Sequence, residues 1–276
     1  MIQDILPHKL DNHYYPDRIA DAGNIVIVIR ENDVLVKGDL FPRAGELNVE
    51  LTALTYLFEL KDENEYYLLD VTGREFDIPE GYEFINIRTF RRMNTAKKYR
   101  VFLTYTAFQL SRWYRDNTYC GRCGRKTYLD DKERAIRCEC GNVIYPRVVP
   151  AVIVGITNGD KILVTQYKTG YAHYALVAGF TEIGETLEET VAREAMEETG
   201  LKVKNIRYYK SQPWAIVDDL LAGFYCDVDG SAEIHMDTHE LKEAVWVRRE
   251  DVTGQPNDFS LTNEMMLVFR DGKEPR

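Results

Sequence analysis

Short apolar runs open the chain. NIVIVIR (Asn24 to Arg30), DVLVKG (Asp33 to Gly38) and YYLLDV (Tyr66 to Val71) are rich in β-branched and aromatic residues. Acidic, Gly and Pro positions bound them, a pattern that predicts strands. The period then changes. In TAKKYRVFLTYTAFQLSRWY (Thr95 to Tyr114), Phe102, Tyr105, Phe108, Leu110 and Trp113 recur at helical spacing. That spacing predicts a connecting helix ending in the polar RDN, with an aromatic stripe that reads as core rather than as a platform for stacked bases. Strand-like runs resume at VVPAVIVGIT (Val148 to Thr157) and KILVTQY (Lys161 to Tyr167), and Asn158-Gly159 between them predicts a hairpin. Thr186 and Glu189 form a T-x-x-E capping box and Gly200 is placed as a stop, so a helix is expected from about Leu187 to Thr199. VKNIRYYKSQ, LLAGFYCDV and EAVWV read as further strands, and LTNEMMLVFRDG as a closing helix. The expected fold is α+β, a mixed sheet with helices packed on it.

Three segments follow from these patterns: an N-terminal scaffold or dimerisation domain over 1–115, a cysteine-bearing ribbon over 116–147, and a sheet-and-helix domain over 148–276. The first carries no chemical motif. With 35 Lys and Arg against 45 Asp and Glu, the net charge is −10, which argues against a protein whose main work is gripping a nucleic-acid backbone. No apolar run approaches the ~18 residues of a membrane span. MIQDILPHKLDNHYY lacks the basic-then-apolar order of a signal peptide, so the expectation is a cytoplasmic protein with no membrane partner.

Four of the five cysteines lie between Cys120 and Cys140. Cys120 and Cys123 form a C-x-x-C pair and Cys138 and Cys140 a tighter C-x-C pair, with Gly141 beside the sharper turn. Two such pairs suit a tetrahedral thiolate site holding one structural zinc. A reduced, metal-free site and a redox role are the alternatives. Arg122, Arg125, Lys126, Lys132, Arg134 and Arg137 face Asp130, Asp131, Glu133 and Glu139, a modest excess that favours a structural clip over nucleic-acid contact. Cys226 reads as a buried strand thiol.

The helix at 187–199 poses a sharper question. Leu187, Val191, Glu194 and Glu198 share one stripe, with Glu197 beside it, so carboxylates continue an apolar face. Carboxylates there are costly without a compensating cation, and oxygen donors select a hard ion such as Mg²⁺ or Mn²⁺. A solvated charged face is the plain alternative. The wider pattern decides: Gly179, Glu185, Arg193, Glu194, Glu197, Glu198 and Gly200 fit G-x5-E-x7-R-E-U-x-E-E-x-G-U, the signature of the Nudix hydrolase family, with small Ala195 at the first U. The resemblance implies a Nudix fold, a mixed β-sheet sandwiched by helices. It implies that Glu194, Glu197 and Glu198, with the Gly179 carbonyl, hold catalytic Mg²⁺ or Mn²⁺, and that Glu185 braces Arg193.

Three features resemble the NADH pyrophosphatase (NudC-like) branch: the preceding cysteine ribbon, YPRVVPAVIV (Tyr145 to Val154) at the joint, and SQPW (Ser211 to Trp214) after the box. The resemblance implies hydrolysis of the NADH or NAD⁺ diphosphate to nicotinamide mononucleotide and AMP, extending to NAD caps on RNA, in a homodimer. It implies that Tyr145 and Phe180 stack on bases, core packing being the other reading, and that Ser211, Gln212 and Trp214 line the nucleotide pocket. Glu240 is either a further metal or water-activating group or a surface acid. One departure stands out: AIVDD (Ala215 to Asp219) replaces the branch's PFPxS. Either the pocket is altered, favouring ADP-ribose or another nucleoside diphosphate compound, or Asp218 and Asp219 are surface residues on a turn. A catalytically silent nucleotide-binding regulator is the alternative of another class.

Overall fold

The computed structural model describes residues 1–61, 63–169, 173–256 and 258–275. Two compact units result, one of residues 3–147 and one of residues 1–2 with 148–276. The cysteine segment lies within the first.

In the first unit, β1 (Leu10–Asp11), β2 (Ile25–Arg30), β3 (Asp33–Val36), β4 (Thr55–Leu60), β5 (Asn64–Asp70) and β6 (Glu83–Asn86) form a sheet in the order β1-β4-β5-β2-β3-β6. Its central pair, β2 with β5, is parallel. Val26, Val28 and Leu35 join Tyr56, Tyr67 and Leu69 in one core on this sheet. A short helix, α1 (Ile87–Arg92), leads to α2 (Lys98–Asp116), which packs on β2 and β5. The expected aromatic stripe of α2 is buried: Phe102, Tyr105, Phe108, Leu110 and Trp113 are all core. The ribbon follows as three two-residue strands, β7 (Tyr128–Leu129), β8 (Ile136–Arg137) and β9 (Val143–Ile144).

The second unit is built around β10 (Val149–Asn158). With β11 (Lys161–Tyr167), β12 (Val177–Phe180), β13 (Val203–Trp214), β14 (Asp219–Val228) and β15 (Leu241–Arg248) it makes a mixed sheet in the order β13-β14-β10-β11-β15. The β12 strand pairs with β10 over Ala151 to Val154, while β11 meets β10 only at Thr157 and Asn158. Because Asn158 pairs with Lys161, the central residues of the hairpin turn are Gly159 and Asp160, one position later than the sequence suggests. Gly159 has φ 62, and glycine is favoured at that first central position because it reaches positive φ without a steric penalty. On the other side β14 runs parallel to β10, from Val149 opposite Asp219 to Thr157 opposite Asp227.

Alternation along β10 feeds two cores. Val152, Val154 and Ile156 pack with Val191 and Ala195 of α3 (Leu187–Thr199). Ile153 points the other way and packs with Leu261, Met265 and Phe269 of α4 (Leu261–Arg270). Helices therefore cover both faces of the sheet, the sandwich expected from the sequence.

Candidate functional site

Local chemistry fixes α3. Thr186 accepts from the Glu189 backbone N–H while Glu189 accepts from the Thr186 N–H, so both halves of the capping box are made. Gly200 closes the helix at φ 71. These ends rotate α3 so that Val191 and Ala195 enter the core, Glu198 is buried, Glu194 is half-buried and Glu197 is exposed.

Gly179 lies opposite Val152 in the β10–β12 pairing, directly beneath Glu194. A methyl group there would overlap the Glu194 carboxylate, so only glycine lets that side chain lie against the β12 backbone. Arg193 gathers three of the acids. Its guanidinium donates to Glu185 at 2.6 and 2.9 Å, to Glu194 at 2.7 Å, to Glu197 at 3.0 Å and to the Phe180 carbonyl at 2.8 Å. The first of these contacts holds the Glu185 carboxyl down to about 2. The bracing pair expected of Glu185 and Arg193 is present, and Arg193 reaches two of the expected ligands as well.

Glu198 is different. It is 3% exposed, and burial, with the charges of Glu194 and Glu240 adding to it, pushes its carboxyl up to about 8. Tyr167, at the end of β11, donates its hydroxyl to Glu198 at 3.1 and 3.2 Å. Burial and the Glu198 charge raise the Tyr167 hydroxyl, so it is a neutral donor. Burial likewise raises Glu194. Glu240 is exposed just before β15, yet its charge acts on both Glu194 and Glu198, which puts it at this site. Four carboxylates and the Gly179 backbone thus converge on one patch with an all-oxygen donor set, the set that suits a hard divalent cation. They do not form a tight cage: among the described residues, the four cysteines are the one group of three or more potential ligands whose donor atoms all lie within 4.8 Å of one another.

In that group the sulfurs of Cys120 and Cys140 are 3.7 Å apart and those of Cys123 and Cys138 3.5 Å. A tetrahedron with ~2.3 Å zinc–sulfur bonds has edges of about 3.8 Å, so the donors fit. Arg125 donates to Cys123 and lowers its thiol to about 6. Against a hydrogen bond from the Cys140 backbone N–H, burial and the neighbouring thiols push Cys138 up to about 12, so the four sulfurs share charge unequally and the fit rests on their spacing. Cys226 is fully buried in β14, as expected of a strand thiol.

The other sequence candidates scatter. Phe180 is 51% and Tyr145 58% exposed, so neither is a core aromatic. Tyr145 belongs to the first unit, where its hydroxyl donates to Glu133 at 2.9 Å. Ser211 is exposed and Trp214 half-buried at the end of β13. Gln212 is fully buried, donating to the Phe259 carbonyl and accepting from the Leu261 N–H, so its amide anchors the start of α4 against β13. Asp218 and Asp219 are not surface residues on a turn. They are 6% and 7% exposed, Asp218 stands at φ 64, and one oxygen of Asp219 has no hydrogen-bond partner. Burial, with the Asp218 charge, raises Asp219 to about 6. Sequence reasoning missed Tyr167, whose only signal was its place at the end of a strand.

Residues 146–266 match the family model described as NUDIX domain. The NAD-capped RNA hydrolase NudC of Escherichia coli O1:K1 / APEC is 45% identical over 148 residues, 52% of this chain and 56% of that protein. NudC of Escherichia coli strain SMS-3-5 / SECEC matches to the same extent. The chain spans about half the length of the curated relatives it matches. A NUDIX hydrolase from Nitrosomonas europaea, solved by crystallography, aligns with a TM-score of 0.48 at 19% identity, covering 56% of this chain and 91% of that one.

Proposed function

With a NUDIX domain over residues 146–266 as the premise, we propose that this protein is a divalent-metal-dependent diphosphatase. Its substrate would be NADH or NAD⁺, cleaved to nicotinamide mononucleotide and AMP, and NAD caps on RNA would be cleaved in the same way. The observation that carries this reading is the convergence of Glu194, Glu197, Glu198 and Glu240 over Gly179, with Arg193 locked to Glu185 behind them. The NudC relatives supply the substrate class by their name, at 45% identity.

Hydrolysis adds one water across the P–O–P bridge: the water oxygen bonds to one phosphorus, the bridging oxygen leaves with the other, and the water's protons are released. Mg²⁺ or Mn²⁺, when bound, neutralises the diphosphate and lowers the pKa of the attacking water. Within the protein, Glu194, Glu197 and Glu198 and the Gly179 carbonyl supply the oxygen donors. Glu240, whose charge reaches Glu198, would take a proton from water. Arg193, braced by Glu185, holds the end of β12 that carries Gly179 and Phe180 through the Phe180 carbonyl, and Phe180 offers an exposed ring to a base. The four cysteines would hold one structural zinc, whose fit rests on the sulfur spacing. A cytoplasmic homodimer, with Tyr145 stacking on a base, completes the proposal.

The test is product analysis with NADH, NAD⁺ and ADP-ribose at equal concentration in Mg²⁺ or Mn²⁺. AMP with reduced nicotinamide mononucleotide as the leading products is expected. A second reading, preference for ADP-ribose, is favoured by the two buried acids of AIVDD and would show as AMP with ribose phosphate. No product from any substrate would leave the silent regulator.

A further inference from the structure

The box arginine reaches three glutamates of the site, Glu185, Glu194 and Glu197, but Glu198 takes a different partner. Among the described residues Glu198 has no ion pair; its carboxylate accepts from the Ala178 backbone N–H and from the Tyr167 hydroxyl, which spans both carboxylate oxygens at 3.1 and 3.2 Å and is the side chain that holds it. What aims Tyr167 there is an irregularity in the sheet. The β11–β15 pairing puts Gln166 opposite Glu243 and then Tyr167 opposite Leu241, leaving Lys242 over. Such bulges re-aim side chains at the ends of strands. This one also fixes the approach of Glu240, whose carbonyl accepts from the Lys168 backbone N–H at 3.0 Å. The same loop is tied to the end of α3, because the Asp237 N–H donates to the Glu198 carbonyl at 2.9 Å. A single bulge therefore brings the Tyr167 hydroxyl and Glu240 towards the one buried glutamate of the signature.

We propose that Tyr167 is a positioning residue: its hydroxyl holds the Glu198 carboxylate in place beside Glu194 and Glu240 without bringing a cation that would compete with the divalent ion. The inference rests on the reading of this patch as a divalent-metal site. A cationic partner would add order at the expense of metal affinity. A phenol adds order alone. Partners that orient metal ligands in this way are worth roughly 10- to 100-fold in metal affinity.

The test is a Mn²⁺ titration of the free protein, followed by electron paramagnetic resonance with no substrate present. Tyr167→Phe keeps the ring and removes the hydroxyl, and the expected result is a roughly 10-fold weaker Mn²⁺ affinity. Turnover should fall at limiting Mn²⁺ while KM for NADH stays unchanged. Tyr174→Phe, which removes a 2.7 Å phenol–carboxylate bond from a residue between β11 and β12 to Glu243 of β15, is the control and should bind Mn²⁺ like the wild type. In a Glu198→Gln background, Tyr167→Phe should weaken Mn²⁺ binding no further. Equal affinity in wild type and Tyr167→Phe, or fully additive losses in the double variant, would overturn the role of Tyr167. A wild type that binds Mn²⁺ but cleaves neither NADH nor NAD⁺ would sink the substrate assignment and leave the Tyr167 comparison intact.

Discussion

A carboxylate taken out of water has to find a cation, collect hydrogen bonds or keep its proton. Glu198 and Asp219 meet that demand differently. Glu198 lies beside two other acids, so in the absence of metal it must either keep a proton well above the ordinary carboxylate range or hold a buried charge, and both burden the fold. Glu198→Gln should therefore lower turnover by at least about 100-fold, yet melt at or above the wild-type temperature in EDTA. Loss of turnover with a markedly lower melting temperature would instead mean that Glu198 is a structural residue. Asp219 has an oxygen with no partner and a carboxyl raised to about 6 from an ordinary 3.8. A raised acid destabilises the fold wherever the unfolded chain would ionise it. The cost is absent below about pH 4, grows between pH 4 and 6, and is constant above that. Asp219→Asn should then raise the melting temperature by a few degrees at pH 7.5, for about 1 kcal/mol, and leave it unchanged at pH 4. Thermal melts at the two pH values check this, and a gain of equal size at both would show that charge is not the cause.

At the scale of elements, α3 was legible to the residue because its signals are local: a capping box at one end, a left-handed glycine at the other and an apolar stripe between them. Thr186→Ala should cost about 1 kcal/mol and lower the melting temperature by roughly 2–4 °C. A drop within error would mean that tertiary packing alone sets the start of the helix. Strands were less legible. The four-residue β12 carries no alternating pattern, because it exists as a strand only by pairing with β10. The hairpin turn fell one residue from its expected place, since register is set by the whole sheet rather than by the Asn-Gly dipeptide. The bulge that aims Tyr167 is likewise a property of the β11–β15 pair, which no window along the sequence contains. The glutamates of the box could be read from spacing; the hydroxyl that orders one of them could not.

At the scale of the molecule, the change in periodicity near Thr95 marked α2, and the cysteine spacing marked the ribbon, but the compact units divide at 147/148 with the ribbon inside the first. Spacing says that four thiols lie near one another; only folding says that their sulfurs fall at 3.5 and 3.7 Å. Metal analysis of freshly purified protein should give one zinc per chain, and Cys138→Ser should lose it and lower the stability of the first unit. A folded wild type free of zinc would refute the thiolate site. The acidic net charge of −10 implies that few phosphates of any RNA carried behind a cap are gripped, so cap removal from RNA should respond to salt almost as weakly as NADH cleavage. A much steeper salt curve for capped RNA would mean that a local basic surface grips the RNA body despite the net charge.

The parallel pairing of β10 with β14 also has a consequence in time. Each of its contacts joins residues seventy positions apart, from Val149 with Asp219 to Thr157 with Asp227. Loop closure over that span is slow compared with winding a capped helix. During synthesis α3 emerges complete, with both ends satisfied by its own residues, while the strand that closes the sheet beside β10 is still unmade. Until β14 arrives, β10 has an unpaired edge of apolar residues, the kind of edge that recruits another chain. The nascent protein is therefore expected to be most prone to aggregation in the interval between the end of α3 and residue 228.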